Sequence, residues 1–345
     1  MSAPESMRAV VVETPGTAGL AIREVPVQRP VHDEVVVRVI ATSIGRTVLR
    51  KVVGLPQPAL PRIPGHEAVA EIVEMGPAVR DLEVGQRVLL YYYVTCGFCR
   101  MCLTGREPLC TAHGGPAIRL GEERDGALAE YACVGRRNVI PLPDGVDPVA
   151  ATVIPDAVAT PVHIMERSWV RALEQMIIIG AAGGVGIHLM QIAASRGVRP
   201  IAVDLGSRLE GLEAYGAVDM VDASRPGWAE QIRGRGDVVV DFVGSPECLS
   251  AGLEALSPSG RLIVLNIDKG TAMPGEPWQL VVGETAILGS KYASMAQFSQ
   301  AAELLRAGIV TPVVNRTGGL DEAPDMLRAI ERNEIVGRAA MVIGA

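Results

Sequence analysis

Two patterns of apolar residues divide this chain. In the first third, short runs rich in valine and leucine recur at Ala9–Val12, Glu34–Ile40, Ala68–Val73 and Arg87–Val94. Proline, glycine and charge separate them, as in Arg62-Ile63-Pro64-Gly65 and Glu83-Val84-Gly85. Runs of this length between turn residues predict an antiparallel barrel or sandwich. From Met176 the rhythm changes. Apolar strands at Met176–Ile179, Pro200–Val203, Asp237–Val243 and Arg261–Leu265 alternate with helical stretches such as Val185–Arg196. That alternation predicts a parallel sheet flanked by helices, an α/β fold. Two helical patterns, Met295–Ala307 and Asp321–Asn333, and a terminal strand, Ala339–Ile343, close the chain. The turn-rich segment Pro141–Asp147 is the best boundary between the first two regions.

Composition narrows the function. The chain has 345 residues, 48% of them hydrophobic, which suits two domains with two cores. A net charge of -7 argues against a nucleic-acid partner, and 3% aromatic content argues against base stacking. No apolar run approaches the ~20 residues of a membrane span. Met1-Ser2-Ala3-Pro4-Glu5 lacks the basic-then-apolar layout of a signal peptide, so a cytoplasmic protein is expected. Six cysteines are too sparse for a disulfide scaffold.

Their placement says more. Cys96-x2-Cys99-x2-Cys102-x7-Cys110 puts four thiols where they can close a tetrahedral shell around one zinc. A closed shell leaves no position for substrate, so such a zinc is structural. An iron–sulfur site or a redox pair uses similar spacing and remains open. Cys133 and Cys248 stand alone and read as small packing residues.

A glycine loop follows the first strand of the second region, in Ile179-Gly180-Ala181-Ala182-Gly183-Gly184-Val185-Gly186. A tight turn into a helix N-terminus lets backbone N–H groups approach a pyrophosphate. Gly183 and Gly186 fit the second and third glycines of the dinucleotide fingerprint; Ala181 breaks the first. Asp204 lies 18 residues past Gly186, at a strand end, where a carboxylate accepts from an adenosine ribose diol. That favours NAD over NADP, although Ser207 and Arg208 stand close enough to cradle a phosphate.

Together these features resemble the zinc-containing medium-chain dehydrogenase/reductase family, in its alcohol dehydrogenase-like branch. The resemblance also rests on Gly65-His66-Glu67, Asp237 to Gly244 and Val336-Gly337-Arg338-Ala339. It implies a β-rich GroES-like catalytic domain at 1–153 and 291–345, with a zinc lobe at about 94–112. It further implies a Rossmann domain, a doubly wound parallel sheet, at 154–290. Cofactor contacts carry over to Arg46, Thr160, Gly183, Gly184, Val185, Gly186, Asp204, Arg208, Val243, Asn266 and Arg338, the last also able to pair with Glu67. A homodimer or homotetramer is implied too.

The chain departs from the family at the catalytic zinc. Gly45 stands where the ligand cysteine is expected, and Val48 replaces a supporting aspartate. His66 and Asp156 match the other two ligands; Glu67 is a conceivable third. Loss of a thiolate and of an outer carboxylate both weaken metal binding. Thr47 matches a hydroxyl that passes a proton to substrate, and Arg50 stands where relatives keep a relay histidine. The expected activity is hydride transfer between a nicotinamide and an alcohol or carbonyl substrate, at a remodelled, metal-free centre formed by Thr47, His66, Asp156 and Arg50. Metal-independent reduction of an activated C=C is the alternative. A cofactor-binding protein without turnover is another. Tyr91, Tyr92, Tyr93, Trp278 and Met295 read equally as pocket lining or as core.

Overall fold

The computed structural model describes residues 3–54, 59–115, 117–265 and 270–344. The chain divides into two compact units: Met1–Ala159 with Ala293–Arg306 and Pro312–Ala345, and Thr160–Tyr292 with Ala307–Thr311.

The first unit is built on the strand Glu34–Ile44, whose neighbours are Glu67–Met75 on one side and Arg338–Val342 on the other, both antiparallel. Its side chains alternate between two cores, as a period of two demands. Val35, Val37 and Val39 join Ile72 and Leu90 in one. Val36 and Ile44 join Val10, Leu128 and Met341 in the other. Full burial of each such side chain is worth roughly 1.5–3 kcal/mol. The sheet runs in the order Val314–Gly318, Arg338–Val342, Glu34–Ile44, Glu67–Met75, Arg87–Leu90, Val139–Pro141. Only the first pair is parallel. Register then sets the chemistry. Ala339 faces Ile44 and Ser43 faces Glu67, so Gly45, Glu67 and Arg338 meet at one end of the sheet.

The turn at Pro141–Asp147 does not end this unit, contrary to the sequence expectation; on contacts the seam falls at 159/160. Asp147 caps the short helix Pro148–Ala151, accepting from Ala150 N at 2.8 Å. That helix packs on Glu34–Ile44, and the π-helical turn Ile154–Val158 behind it packs on Glu67–Met75. Asp156 is thereby held in the first unit.

The second unit is a six-stranded, all-parallel sheet. Its order is Asp219–Asp222, Arg199–Asp204, Gln175–Ile179, Gly236–Asp241, Leu256–Val264, Ala286–Gly289. The doubly wound order agrees with the alternation in sequence. The expected strand to Val243 stops at Asp241, because the Asp241 carboxylate accepts from Val243 N and Gly244 N and turns the chain outward. Among the described residues no helix is long and apolar enough to cross a membrane.

After Ile179 the chain turns at Gly180, φ 86°, and enters the helix Gly184–Ser195 from Gly183. Gly186 is dictated by space. A Cβ there would lie 2.5 Å from Gly180 O and 2.7 Å from Ala181 O. Gly186→Ala should therefore destabilise the protein by about 1–3 kcal/mol, read as a lower urea midpoint with unchanged slope. A midpoint at the wild-type value would mean the loop relaxes freely.

Candidate functional site

Two clusters in the first unit have metal-like composition, and they differ in spacing. The sulfurs of Cys96 and Cys102 are 3.8 Å apart, Cys99 and Cys102 3.6 Å, Cys99 and Cys110 3.9 Å. All four are free thiols. A tetrahedral ion with Zn–S bonds of ~2.3 Å needs an edge of about 3.8 Å, so the set fits one zinc. The lobe treats the thiols unequally. Backbone N–H groups of Cys102 and Thr111 hold the Cys99 thiol down to about 5, while burial pushes Cys102 up to about 12. Bound metal would favour the thiolate at every position.

The second cluster lies at the sheet end. Arg338 is 5% exposed and grips Glu67 through two bonds, Nε to Oε2 at 2.8 Å and Nη2 to Oε1 at 2.9 Å. The same Nη2 reaches Asp156 Oδ2 at 3.3 Å. Burial works against the Arg338 charge, but the two carboxylates outweigh it and raise its pKa. Ser43 adds its hydroxyl to Glu67 Oε2. Gly45 touches the other side of the guanidinium. Its backbone is extended, φ −138°, a conformation open to any residue. What only glycine allows is the room: a Cβ would lie 2.7 Å from Arg338 Cζ and from Nη1.

His66 completes the cluster. It is 3% exposed, and its Nε2 has no hydrogen-bond partner among the described residues. That atom lies 3.9 Å from both Glu67 Oε1 and Asp156 Oδ2. The ligand atoms of His66, Glu67 and Asp156 all fall within 4.8 Å of one another. Ligand bonds of ~2.0–2.1 Å in a tetrahedron need separations of about 3.4 Å, shorter than those seen. Both carboxylates already face a cation, and position 45 offers no ligand atom.

A ring and an ion pair stand behind His66. Tyr92 stacks on its imidazole with centroids 4.0 Å apart and planes at 27°. The Tyr92 hydroxyl donates to Glu122 Oε1. Glu122 Oε2 is 2.7 Å from Lys51 Nζ and 2.7 Å from Arg119 Nη2. Lys51 and Glu122 were not singled out from sequence, because a charged residue normally faces water; each is only 3% exposed. Tyr91 is core, fully buried, with its hydroxyl on Ala293 O, whereas Trp278 is 58% exposed.

The remaining sequence-derived residues are placed as follows. Thr47 and Arg50 are half-buried on the helix Arg46–Val52. Arg46 is exposed and bonded to Asn333 Oδ1. In the second unit, Gly183, Gly184, Val185 and Gly186 form the helix entry, and Thr160 is buried on the helix Ala159–Arg167. Asp204 Oδ2 accepts from Ala182 N at 2.9 Å, tying the glycine loop to the next strand end. Its Oδ1 accepts from Leu205 N and from Arg208 Nε, each at 2.8 Å. Val243 is 45% exposed beside Gly180. Asn266 lies outside the described residues. A loop of glycine and alanine at a helix N-terminus fits a dinucleotide pyrophosphate.

Known proteins agree with this architecture. Residues 31–144 match the alcohol dehydrogenase GroES-like domain, and residues 184–307 match the zinc-binding dehydrogenase domain. The chain is 29% identical to the acryloyl-coenzyme A reductase of Metallosphaera sedula, over 97% of this chain and 99% of that one. It is 28% identical to an alcohol dehydrogenase of Geobacillus stearothermophilus, over 97% and 98%. It is similar in structure to a thermostable alcohol dehydrogenase of Pyrobaculum aerophilum, with TM-score 0.89 and 27% identity, over 98% of this chain and 99% of that one. The fold, the glycine loop and the cysteine lobe thus lead to one conclusion: the chain belongs to the zinc-type medium-chain dehydrogenase/reductase family and is an NAD(P)-dependent oxidoreductase.

Proposed function

We propose that this protein reduces a carbon–carbon double bond conjugated to a carbonyl, such as an α,β-unsaturated thioester or enone, at a centre with no catalytic metal. The observation that carries this is Arg338. Its guanidinium fills the space beside Gly45 and engages both carboxylates. Reduction of a saturated carbonyl builds a localised alkoxide, which a zinc Lewis acid normally stabilises. Reduction of a conjugated C=C delocalises the charge into the substrate's own carbonyl, so fixed donors suffice. The acryloyl-coenzyme A reductase likeness supports the same reading.

A bound reduced nicotinamide would supply the hydride taken up at the β-carbon, and the α-carbon would take its proton from solvent. His66 Nε2, buried and unpartnered, is the group left to meet a substrate oxygen and to hold or yield a proton there. A substrate oxygen would relieve an unpartnered atom whose burial costs about 1–3 kcal/mol. Thr47 offers a further hydroxyl. Arg338 and Ser43 hold Glu67 in place, and Arg338 also meets Asp156. The four cysteines hold one structural zinc, which orders their lobe. Arg46 is assigned to the cofactor phosphates; Arg338, expected there too, is already engaged by carboxylates. The half-buried edge strand Ala286–Gly289, with Trp278, Val281 and Val282 exposed nearby in sequence, supports assembly as a dimer or tetramer. Alcohol or ketone redox is the second reading, favoured by Thr47 and by the alcohol dehydrogenase relatives.

Steady-state oxidation of NADH or NADPH with matched enones, enoyl thioesters, ketones and aldehydes tests the reading. Conjugated substrates should exceed saturated ones by about tenfold or more in kcat/KM, a difference of roughly 1.4 kcal/mol. Preference for saturated ketones would establish the second reading. Cofactor binding without turnover across the panel would refute both.

Asp204 sets the cofactor preference in this scheme. Asp204→Ala removes the carboxylate that repels a 2'-phosphate. Kd for NADH should rise about tenfold and the NADH/NADPH preference should fall, read by fluorescence titration. An unchanged ratio would put selectivity elsewhere.

A further inference from the structure

The buried ion pair behind Tyr92 has no role in hydride transfer as described so far. Glu122 sits on a turn pressed against the His66 segment: a Cβ on Gly121, φ 78°, would lie 2.7 Å from Gly65 N and 2.8 Å from Gly65 O. Lys51 comes from the helix that also carries Thr47. Its Nζ has the 2.7 Å ion pair with Glu122 and no further hydrogen-bond partner among the described residues. Burial lowers the Lys51 pKa and raises that of Glu122, so desolvation works against both charges while their pairing opposes it. Two apolar residues of similar volume would commonly be as stable or more stable than such a pair. A stability role alone therefore does not account for it. The pair does accomplish one thing geometrically. It fixes the acceptor of the Tyr92 hydroxyl, and Tyr92 lies flat on the ring of His66.

We propose that Lys51, Glu122 and Tyr92 form a clamp that sets the orientation of the His66 imidazole, making them positioning residues for the group that meets the substrate oxygen. His66 Nε2 has no hydrogen-bond tether among the described residues, so the ring's orientation depends on what it packs against. Arg119 and Lys51 hold Glu122 from two sides, and Glu122 holds the Tyr92 ring by its far end. Edge contact with Tyr93, centroids 4.8 Å apart at 69°, restrains the same ring from the side. Errors of about 1 Å at a reacting group can cost about 100-fold in rate. The proposal rests on the role given to His66 under Proposed function.

Three variants test it: Tyr92→Phe, Lys51→Met, and the double variant Lys51→Met/Glu122→Leu. Tyr92→Phe keeps the stacked ring and removes the tether; kcat should fall about 10- to 100-fold with KM nearly unchanged. Lys51→Met leaves a buried carboxylate short of a cation and should lower Tm. The double variant removes both charges and should recover Tm, yet kcat should stay as low as in Tyr92→Phe. A merely structural pair would recover both. The imidazole signals of His66 in NMR spectra, assigned with His66→Gln, should shift in Tyr92→Phe and in the double variant. Wild-type kcat and unmoved His66 signals in both would overturn the clamp. If the wild-type protein turns over no substrate, the reading of the reaction fails, and the NMR shifts still decide the clamp by themselves.

Discussion

One buried guanidinium organises the end of the first unit's sheet. Arg338 stands at the start of the closing strand, Glu67 at the start of its own, and Gly45 just past the end of the strand between them. Antiparallel register brings these three together without a loop needing to be ordered. Asp156 arrives from a π-helical turn, a distortion often found at functional sites. Three charges in so dry a place would be costly if unpaired. Bidentate pairing with Glu67 and a further contact to Asp156 make the set tolerable, and each partner depends on the others.

The two ligand-rich clusters of the first unit differ in the spacing of their ligand atoms and in the charge they face. The cysteine sulfurs already stand at the edge length of a zinc tetrahedron. The His66, Glu67 and Asp156 atoms are spread wider and turned toward a permanent cation. Composition alone ranks both as candidates. Geometry and the neighbouring charge distinguish them.

Much of this was legible in the sequence. The glycine loop between strand and helix, the cysteine spacing and the valine-rich strands carry local signals that tertiary structure had no reason to override. The edge strands Asp219–Asp222 and Ala286–Gly289 were not, because each is only four residues long and the first mixes polar with apolar residues. The seam between units was set early, since a proline-rich turn marks a change of direction and not the end of a core. Gly45 was visible as a missing ligand. That Arg338 fills the vacated room was not, because 293 positions separate the two in sequence and only the sheet register brings them together. Lys51, Glu122 and Tyr92 were hidden for the same reason: burial of a charge pair leaves no periodic trace.

The central claim is that a guanidinium has taken the place of a metal ligand. Zinc content per chain, measured on the wild-type protein, Gly45→Cys and Gly45→Cys/Arg338→Ala, tests it most directly. The account predicts one zinc in the wild type, one in Gly45→Cys because Arg338 still fills the position, and two in the double variant. Two tightly bound zincs in the wild-type protein, or a second zinc in Gly45→Cys with Arg338 intact, would contradict it.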